Sequence, residues 1–165
     1  MHRKVPTDEN LHACVCVTVS VCILCMSSVE SSDHLFLQCL FAMAIWQWLG
    51  SKLHCVVDTT SVHTLLSCIP IRCSSQIADM FVAAIVHTLH SIWMACNTLW
   101  FSSNKATVHA AKVKIDYLVI MSGTLSNNNC IPSDSLFLDS FLVAPHHQRV
   151  KDIIIVCWKP STSLG

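Results

Sequence analysis

Four side chains that bind soft or borderline metal ions stand in one short window, CILCMSSVESSDHLFLQC: Cys22, Cys25, His34 and Cys39. The two, eight and four residues between them divide the set into a C-x2-C pair and an H-x4-C pair. Thiolate and imidazole are the donors that zinc takes in tetrahedral sites, and a site closed by four protein ligands is structural. A C-x2-C pair turns tightly enough to aim two thiolates at one ion. The H-x4-C pair has a harder requirement, because residues five apart on an ideal α-helix point about 140° away from each other. His34 and Cys39 can share an ion only if a turn or an irregular helix start lies between them. Cys14 and Cys16 compete for a ligand position, but C-x-C on a strand alternates between opposite faces. The plain alternative is three buried thiols and a histidine at a helix start. The spacing favours Zn2+.

The surrounding elements must deliver those four groups to one place. The loop MSSVESSD puts Ser32 or Asp33 where either can cap a helix beginning near His34. Ahead of it, residues 1–12 read as a polar, extended lead-in, and CVCVTVSVCIL alternates as a short strand or hairpin arm does. Behind it, Leu40 to Leu53 reads as a helix, Ser61 to Cys68 as a short one before Pro70, and about Ser74 to Phe101 as the longest element. Within that long helix Gln76, Asp79, His87, His90 and Asn97 recur at helical spacing, which predicts a polar stripe opposite a wide apolar face. Asn104 to about Gly123 is predicted as another amphipathic helix, burying Val108, Ala111, Val113, Ile115 and Leu118. SNNNCIPSDS breaks the pattern, Ser135 to Leu142 allows one or two helical turns, and IIIVCWKP reads as a strand. The expected fold is mainly α. A small zinc-binding Cys/His head (1–53) precedes a bundle-like helical region (54–125), and a loop with a short C-terminal strand follows (126–165).

Composition narrows the function classes. A chain of 165 residues with 53% hydrophobic and 12% charged residues can bury a core and is not a disordered tail. Ten basic and ten acidic residues balance, so no bulk charge draws the chain to nucleic acid. An odd count of 11 cysteines with only three glycines argues against a secreted disulfide framework. Cys55, Cys68, Cys73, Cys96, Cys130 and Cys157 lie in apolar surroundings and read as buried thiols. The expected setting is intracellular and reducing, nucleus or cytoplasm. Ala13 to Met26 and Leu35 to Gly50 fall short of the roughly twenty apolar residues of a membrane span, and both read as core.

Catalysis is not expected. Two-metal phosphoryl chemistry needs clustered carboxylates. Here Asp58, Asp79, Asp116, Asp134, Asp139 and Asp152 stand apart in the sequence, and only Asp8 and Glu9 are adjacent. No Gly-rich phosphate loop, G-x-S-x-G or H-E-x-x-H occurs. His87 and His90 share a helical face but read as part of a solvated stripe.

The residues VPTDENL, the C-x2-C pair and ESSDHLFLQC followed by FAMAIWQWLG resemble the zinc-binding region of plant non-LTR retroelement reverse transcriptases. Pro6, Thr7, Leu11, Cys22, Cys25, Glu30, His34, Leu35, Phe36, Cys39, Ile45 and Trp46 stand at the places that carry this likeness. IWMACNTLWF resembles a later I-W-x-x-R-N segment of the family, and VCWKPSTSLG its junction into an RNase H domain. The resemblance implies Zn2+ on the named ligands and a linker role beside catalytic domains that this sequence does not show. The chain departs from the pattern at His12, Ala13 and Cys14, where the family is arginine-rich, at Leu40 for proline, and at Cys96 for arginine.

The family also implies RNA or DNA as a partner, and charge argues that such binding is weak. Between Pro6 and Ser51 there is no lysine or arginine to meet phosphates. Lys105, Lys112 and Lys114 form the candidate nucleic-acid patch, with Arg149, Lys151 and Lys159 further on. Trp46 and Trp48 could stack on bases but read as core. Another protein docking on the apolar helices is the second expectation, and membrane association the third.

Overall fold

The computed structural model describes residues 21–67, 73–102, 104–126, 129–131 and 134–146. Most of the anticipated N-terminal arm and the whole C-terminal strand lie outside the described residues. Among the described residues the fold is mainly α with no sheet; one isolated antiparallel bridge joins Val21 and Val29. A five-residue π-helical turn, His34–Gln38, leads into α1 (Leu40–Leu53), followed by α2 (Val62–Ser67), α3 (Ser75–Phe101), α4 (Val108–Leu125) and α5 (Ser135–Ser140).

α1 buries Phe41, Ala42, Ile45, Trp46, Leu49 and Leu53, one stripe at helical spacing. It ends at His54, which takes a left-handed conformation (φ 52°) and donates its N–H to the Gly50 carbonyl. The chain then folds back so closely that a Cβ on Gly50 would stand 2.8 Å from the Cys55 carbonyl oxygen. Glycine is required there because the backbone occupies the side chain's space. The helix runs through Gly-Ser-Lys and stops only at this turn.

α4 runs back along α3. Ala111, Ile115, Val119 and Gly123 form its buried seam, four residues apart, against Ile77, Met80, Phe81, Ala84 and Ile85 among the buried residues of α3. This corrects the expected face. Val113 is exposed and Leu118 only half-buried, because the seam set by Ala111 and Ile115 continues to Val119. The start is corrected too: Thr107 caps the helix by accepting the Ala110 N–H at 3.1 Å, so α4 begins at Val108 and not Asn104.

Gln76 departs from the expected polar stripe, of which Asp79 and His90 are exposed and His87 and Asn97 half-buried. It is fully buried near the start of α3, its Nε2 donating to the carbonyls of Gly123 (3.3 Å) and Ala144 (3.2 Å). Its Oε1 accepts the His146 N–H at 3.0 Å. One amide thus joins α3, α4 and the segment after α5. α5 closes the body with Leu138 buried and Phe137 stacked on Phe81, ring centroids 5.0 Å apart. Lys52 at the end of α1 donates to both Asp116 oxygens (3.0 and 3.2 Å) and to the Ser140 carbonyl (3.0 Å). α1, α4 and α5 meet at that ammonium.

α3 is long and apolar enough to cross a membrane by length and composition, a property the two shorter sequence segments lack. In this fold 44% of its most apolar stretch is buried against the other elements.

Candidate metal centre

The four sequence-predicted ligands converge. One donor atom from each of Cys22, Cys25, His34 and Cys39 lies within 4.8 Å of all the others. Local structure explains how each arrives. The Val21–Val29 bridge closes a turn in which Met26 N–H donates to the Cys22 carbonyl at 2.7 Å and Cys22 N–H to the Ser28 carbonyl at 2.8 Å. Met26 adopts φ 54°, reversing the chain so that Cys22 and Cys25 look the same way. Ile23 to Cys25 form a turn, and of the short strand or hairpin arm that the alternation suggested the described residues keep the single antiparallel bridge at Val21.

The π turn resolves the spacing problem of the second pair. Cys39 N–H donates to the His34 carbonyl at 2.6 Å, an i→i+5 bond that brings residue 39 back over residue 34. An ordinary α-helical turn would have left them on different faces. Ser31, not Ser32 or Asp33, caps this start: its Oγ accepts the His34 N–H at 3.0 Å, and its carbonyl accepts the Leu35 N–H at 2.8 Å. Asp33 makes no side-chain cap. The helical start lies further upstream than expected, which moves the cap with it. Trp46 then locks the turn to α1 by donating its indole N–H to the Phe36 carbonyl at 2.8 Å. With its ring buried and its N–H engaged, Trp46 is core and has no free face for a base.

The distances suit a tetrahedral ion. Bonds of about 2.3 Å from zinc to sulfur imply a sulfur–sulfur edge of about 3.8 Å, and Cys22 Sγ lies 3.8 Å from Cys39 Sγ. Cys25 Sγ lies 3.2 Å from His34 Nε2, which makes Nε2 the imidazole donor. Ser27, which the sequence reading passed over, donates its hydroxyl to Cys25 Sγ at 3.1 Å. A serine two residues after a candidate thiolate ligand is its only sequence signal.

Electrostatics divide the thiols. Burial pushes Cys22 up to about 12, against opposing backbone hydrogen bonds from Cys25 and Leu24. Burial likewise raises Cys39. For Cys25 burial is outweighed by hydrogen bonds from Ser27 and His34, and its thiol falls to about 6. Three thiolates in so small a space repel one another, and a divalent cation is the species that would hold all three ionised. The donor set and its spacing fit zinc. All four positions are filled by protein, so a bound ion would keep no place for a reacting water.

Two further groups border the cluster. Glu30 is buried, with Oε2 4.0 Å from Cys96 Sγ on α3. Burial, then the nearby Glu30 and Cys22, drive the Cys96 thiol to about 12. Cys96 is the position where the resemblance leads one to expect arginine.

The candidate nucleic-acid lysines are not one patch. Lys105 and Lys114 border a hollow between α3 and the start of α4. Lys112 lies elsewhere, its Nζ 5.9 Å from the centroid of the Trp48 ring. Lys52 Nζ is 6.0 Å from the same ring, so half-buried Trp48 is flanked by cations. Of the histidine pair, His87 is half-buried with Nε2 3.1 Å from Ser122 Oγ, whereas His90 is exposed.

Residues 1–46, which contain the whole cluster, match the family described as zinc-binding in reverse transcriptase. No curated protein and no solved structure matches the chain.

Proposed function

We propose that this chain is a zinc-stabilised structural module of a retroelement reverse transcriptase of the non-LTR type. The observation that carries the reading is the convergence of Cys22, Cys25, His34 and Cys39 through a π turn, inside the stretch that matches the reverse-transcriptase family. In this reading a zinc ion fixes the head, and the head seats α1 against the long helices. The module then acts as a brace between a polymerase and an RNase H domain, and does no chemistry of its own. It works inside the cell, in nucleus or cytoplasm, and touches RNA or DNA weakly.

The test is metal content. Purified under reducing conditions, the chain should carry about one zinc, as a four-ligand structural site takes one ion. Cys25→Ser and His34→Ala should each lose it while α3 and α4 stay helical. A folded sample with no zinc, after purification in zinc-supplemented buffer, would overturn the reading.

A second reading, a protein that docks another chain through its helices, has one specific observation behind it. Trp100 and Phe101 at the end of α3 are 51% and 86% exposed, large aromatic surface that a partner would cover. Membrane association by α3 is the weaker variant of the same idea, since that helix already buries much of its apolar face here. Sedimentation of the zinc-loaded chain in the absence of detergent separates these: a soluble monomer favours the module.

A further inference from the structure

The three thiols of the metal centre are not equally shielded. Cys22 and Cys39 are fully buried, whereas Cys25 is half-buried. The Cys25 sulfur lies toward the rim of the head, because the Ser27 hydroxyl that donates to it at 3.1 Å belongs to an exposed residue. The fourth ligand, His34, is buried and carries no sulfur. A reagent arriving from solution therefore meets the sulfur of the cluster at Cys25 first.

That order matters because the thiolate is the reactive form of cysteine, and a bound cation keeps its thiol ligands ionised. A peroxide converts a thiolate to a sulfenic acid, which condenses with a second thiol to a disulfide. The outcome then depends on which sulfur stands within reach. All four donor atoms lie within 4.8 Å of one another, so Cys25 has two sulfur neighbours. Cys22 is the better placed. It lies on the same turn, closed by the Val21–Val29 bridge and by the Met26 N–H on the Cys22 carbonyl at 2.7 Å. Residues three apart in so tight a turn have Cα atoms closer than about 7 Å, within the span of a disulfide. Cys39 is carried by a different piece of backbone, the π turn.

We propose that Cys25 and Cys22 form a peroxide-sensitive switch that releases the metal. The Cys25 thiolate attacks one oxygen of hydrogen peroxide, the O–O bond breaks, and Cys25 becomes a sulfenic acid as hydroxide leaves. The Cys22 thiolate then attacks the Cys25 sulfur, the S–S bond forms, the S–O bond breaks, and a second hydroxide leaves. Each hydroxide takes a proton from solvent and becomes water. The two thiolates give up two electrons in all, and the peroxide gains them. His34 and Cys39 remain, two ligands where a structural site uses four, and the ion departs. Exchange with an external dithiol restores both thiolates.

Ser27 moderates the first step. For a sulfur that is already ionised, reactivity follows the electron density it retains, and a donated hydrogen bond withdraws part of that density. The device rests on the zinc reading, and the two can fail separately.

The full chain is loaded with zinc under reducing conditions, the reductant is removed, and metal content is measured before anything is added. A chain that takes no zinc defeats the zinc reading and the switch with it. Hydrogen peroxide is then added in stages to the loaded chain. A chromogenic chelator reads free zinc, and mass spectrometry maps disulfides after the remaining thiols are alkylated. Zinc release should keep pace with formation of the Cys22–Cys25 disulfide, and dithiothreitol with fresh zinc should restore the loaded state. Release from Ser27→Ala should be about threefold faster at equal peroxide, the effect of one hydrogen bond on the nucleophilicity of a thiolate. Ser27→Thr keeps a hydroxyl and should stay within about twofold of the unmodified chain. Cys96→Ala removes a buried thiol that borders the cluster and should alter neither the rate nor the linkage. Zinc retained while the half-buried Cys55, Cys73 or Cys130 oxidises would defeat the switch alone. So would a dominant disulfide other than Cys22–Cys25, or slower release from Ser27→Ala.

Discussion

Between Val21 and Cys39 the chain has one isolated bridge, a turn reversed at Met26 and five residues of π-helix. α3 and α4, by contrast, pack along each other and bury a mostly apolar seam, interrupted on α3 by Gln76, Thr88 and Ser91. The helical pair is held by burial and by its own backbone ladder, so nothing need be added to it. The head has little regular structure, and a π turn is a rare form, found mostly as a single turn and frequently at functional sites. The comparison teaches that the same chain contains one region held by its own packing and one whose irregular backbone brings four metal-binding side chains together. Apolar contact still couples them, since Leu35, Leu37 and Cys39 join the same core as α1 and α3.

The largest effect should come from taking the ion away. Structural zinc contributes on the order of 10 kcal/mol to a small folded unit. A chelator added to the zinc-loaded chain should open residues 21–50 first and leave α3 and α4 protected. Hydrogen exchange at Ala42 and Ile45, compared with Ile85 and Ile115, measures this directly. Simultaneous loss of protection in both regions would break the contrast and make the head part of one cooperative unit.

The converse perturbation should strike the helical body and spare the head. Gln76→Leu keeps the volume roughly but leaves the Gly123 and Ala144 carbonyls and the His146 N–H without their partner. Unpaired buried polar groups cost about 1–3 kcal/mol each, and partial access of water to the outer two lowers the sum to about 2–4 kcal/mol. Denaturant unfolding monitored by circular dichroism reads the loss, and zinc content should not change. Loss of zinc in this variant would show that the two regions are coupled more tightly than their construction suggests.

The asymmetry between the regions also decided what the sequence could reveal. The ligands were legible because metal chemistry restricts residue type and spacing at once: C-x2-C and H-x4-C in one window admit few explanations. Even the need for an irregular turn at His34 followed from helix geometry alone, although nothing in HLFLQ marks it as π-helical. The long helices were legible from periodicity, to within a few residues at their ends. Gln76 was not, because its partners lie 47 to 70 residues away and a buried glutamine looks locally like a solvated one. Val119 in place of Val113 shows the same limit: periodicity gives a face only once its anchor is known, and packing against α3 chose the anchor. The lysines were grouped by nearness in sequence, whereas two residues on a helix lie about 200° apart, which separates Lys112 from Lys114.

The smallest expected effect concerns pH, and it again distinguishes body from head. His87 lies on α3 against Ser122 of α4, and burial lowers its pKa, with the charge of His90 adding to the effect. An unfolded histidine titrates near 6.5. Below that value the unfolded chain takes up a proton that folded His87 resists. The unfolded state therefore binds more protons, and stability rises with pH across this window. The contribution is present in full above about 6.5 and is lost as pH falls through the folded value. His87→Gln removes the titration while keeping a polar group beside Ser122, so its stability should depend less on pH between neutral and mildly acidic conditions. The head works in the same acidic direction through another cause, since protons compete with the ion for Cys25, Cys22 and Cys39. Zinc content is therefore measured alongside denaturant unfolding, and only pH values at which both proteins keep their ion are compared. A difference in slope there belongs to the helical body. Parallel profiles for the two proteins would mean that the packing of α3 on α4 carries no proton linkage and that the head alone sets the acid limit of the fold.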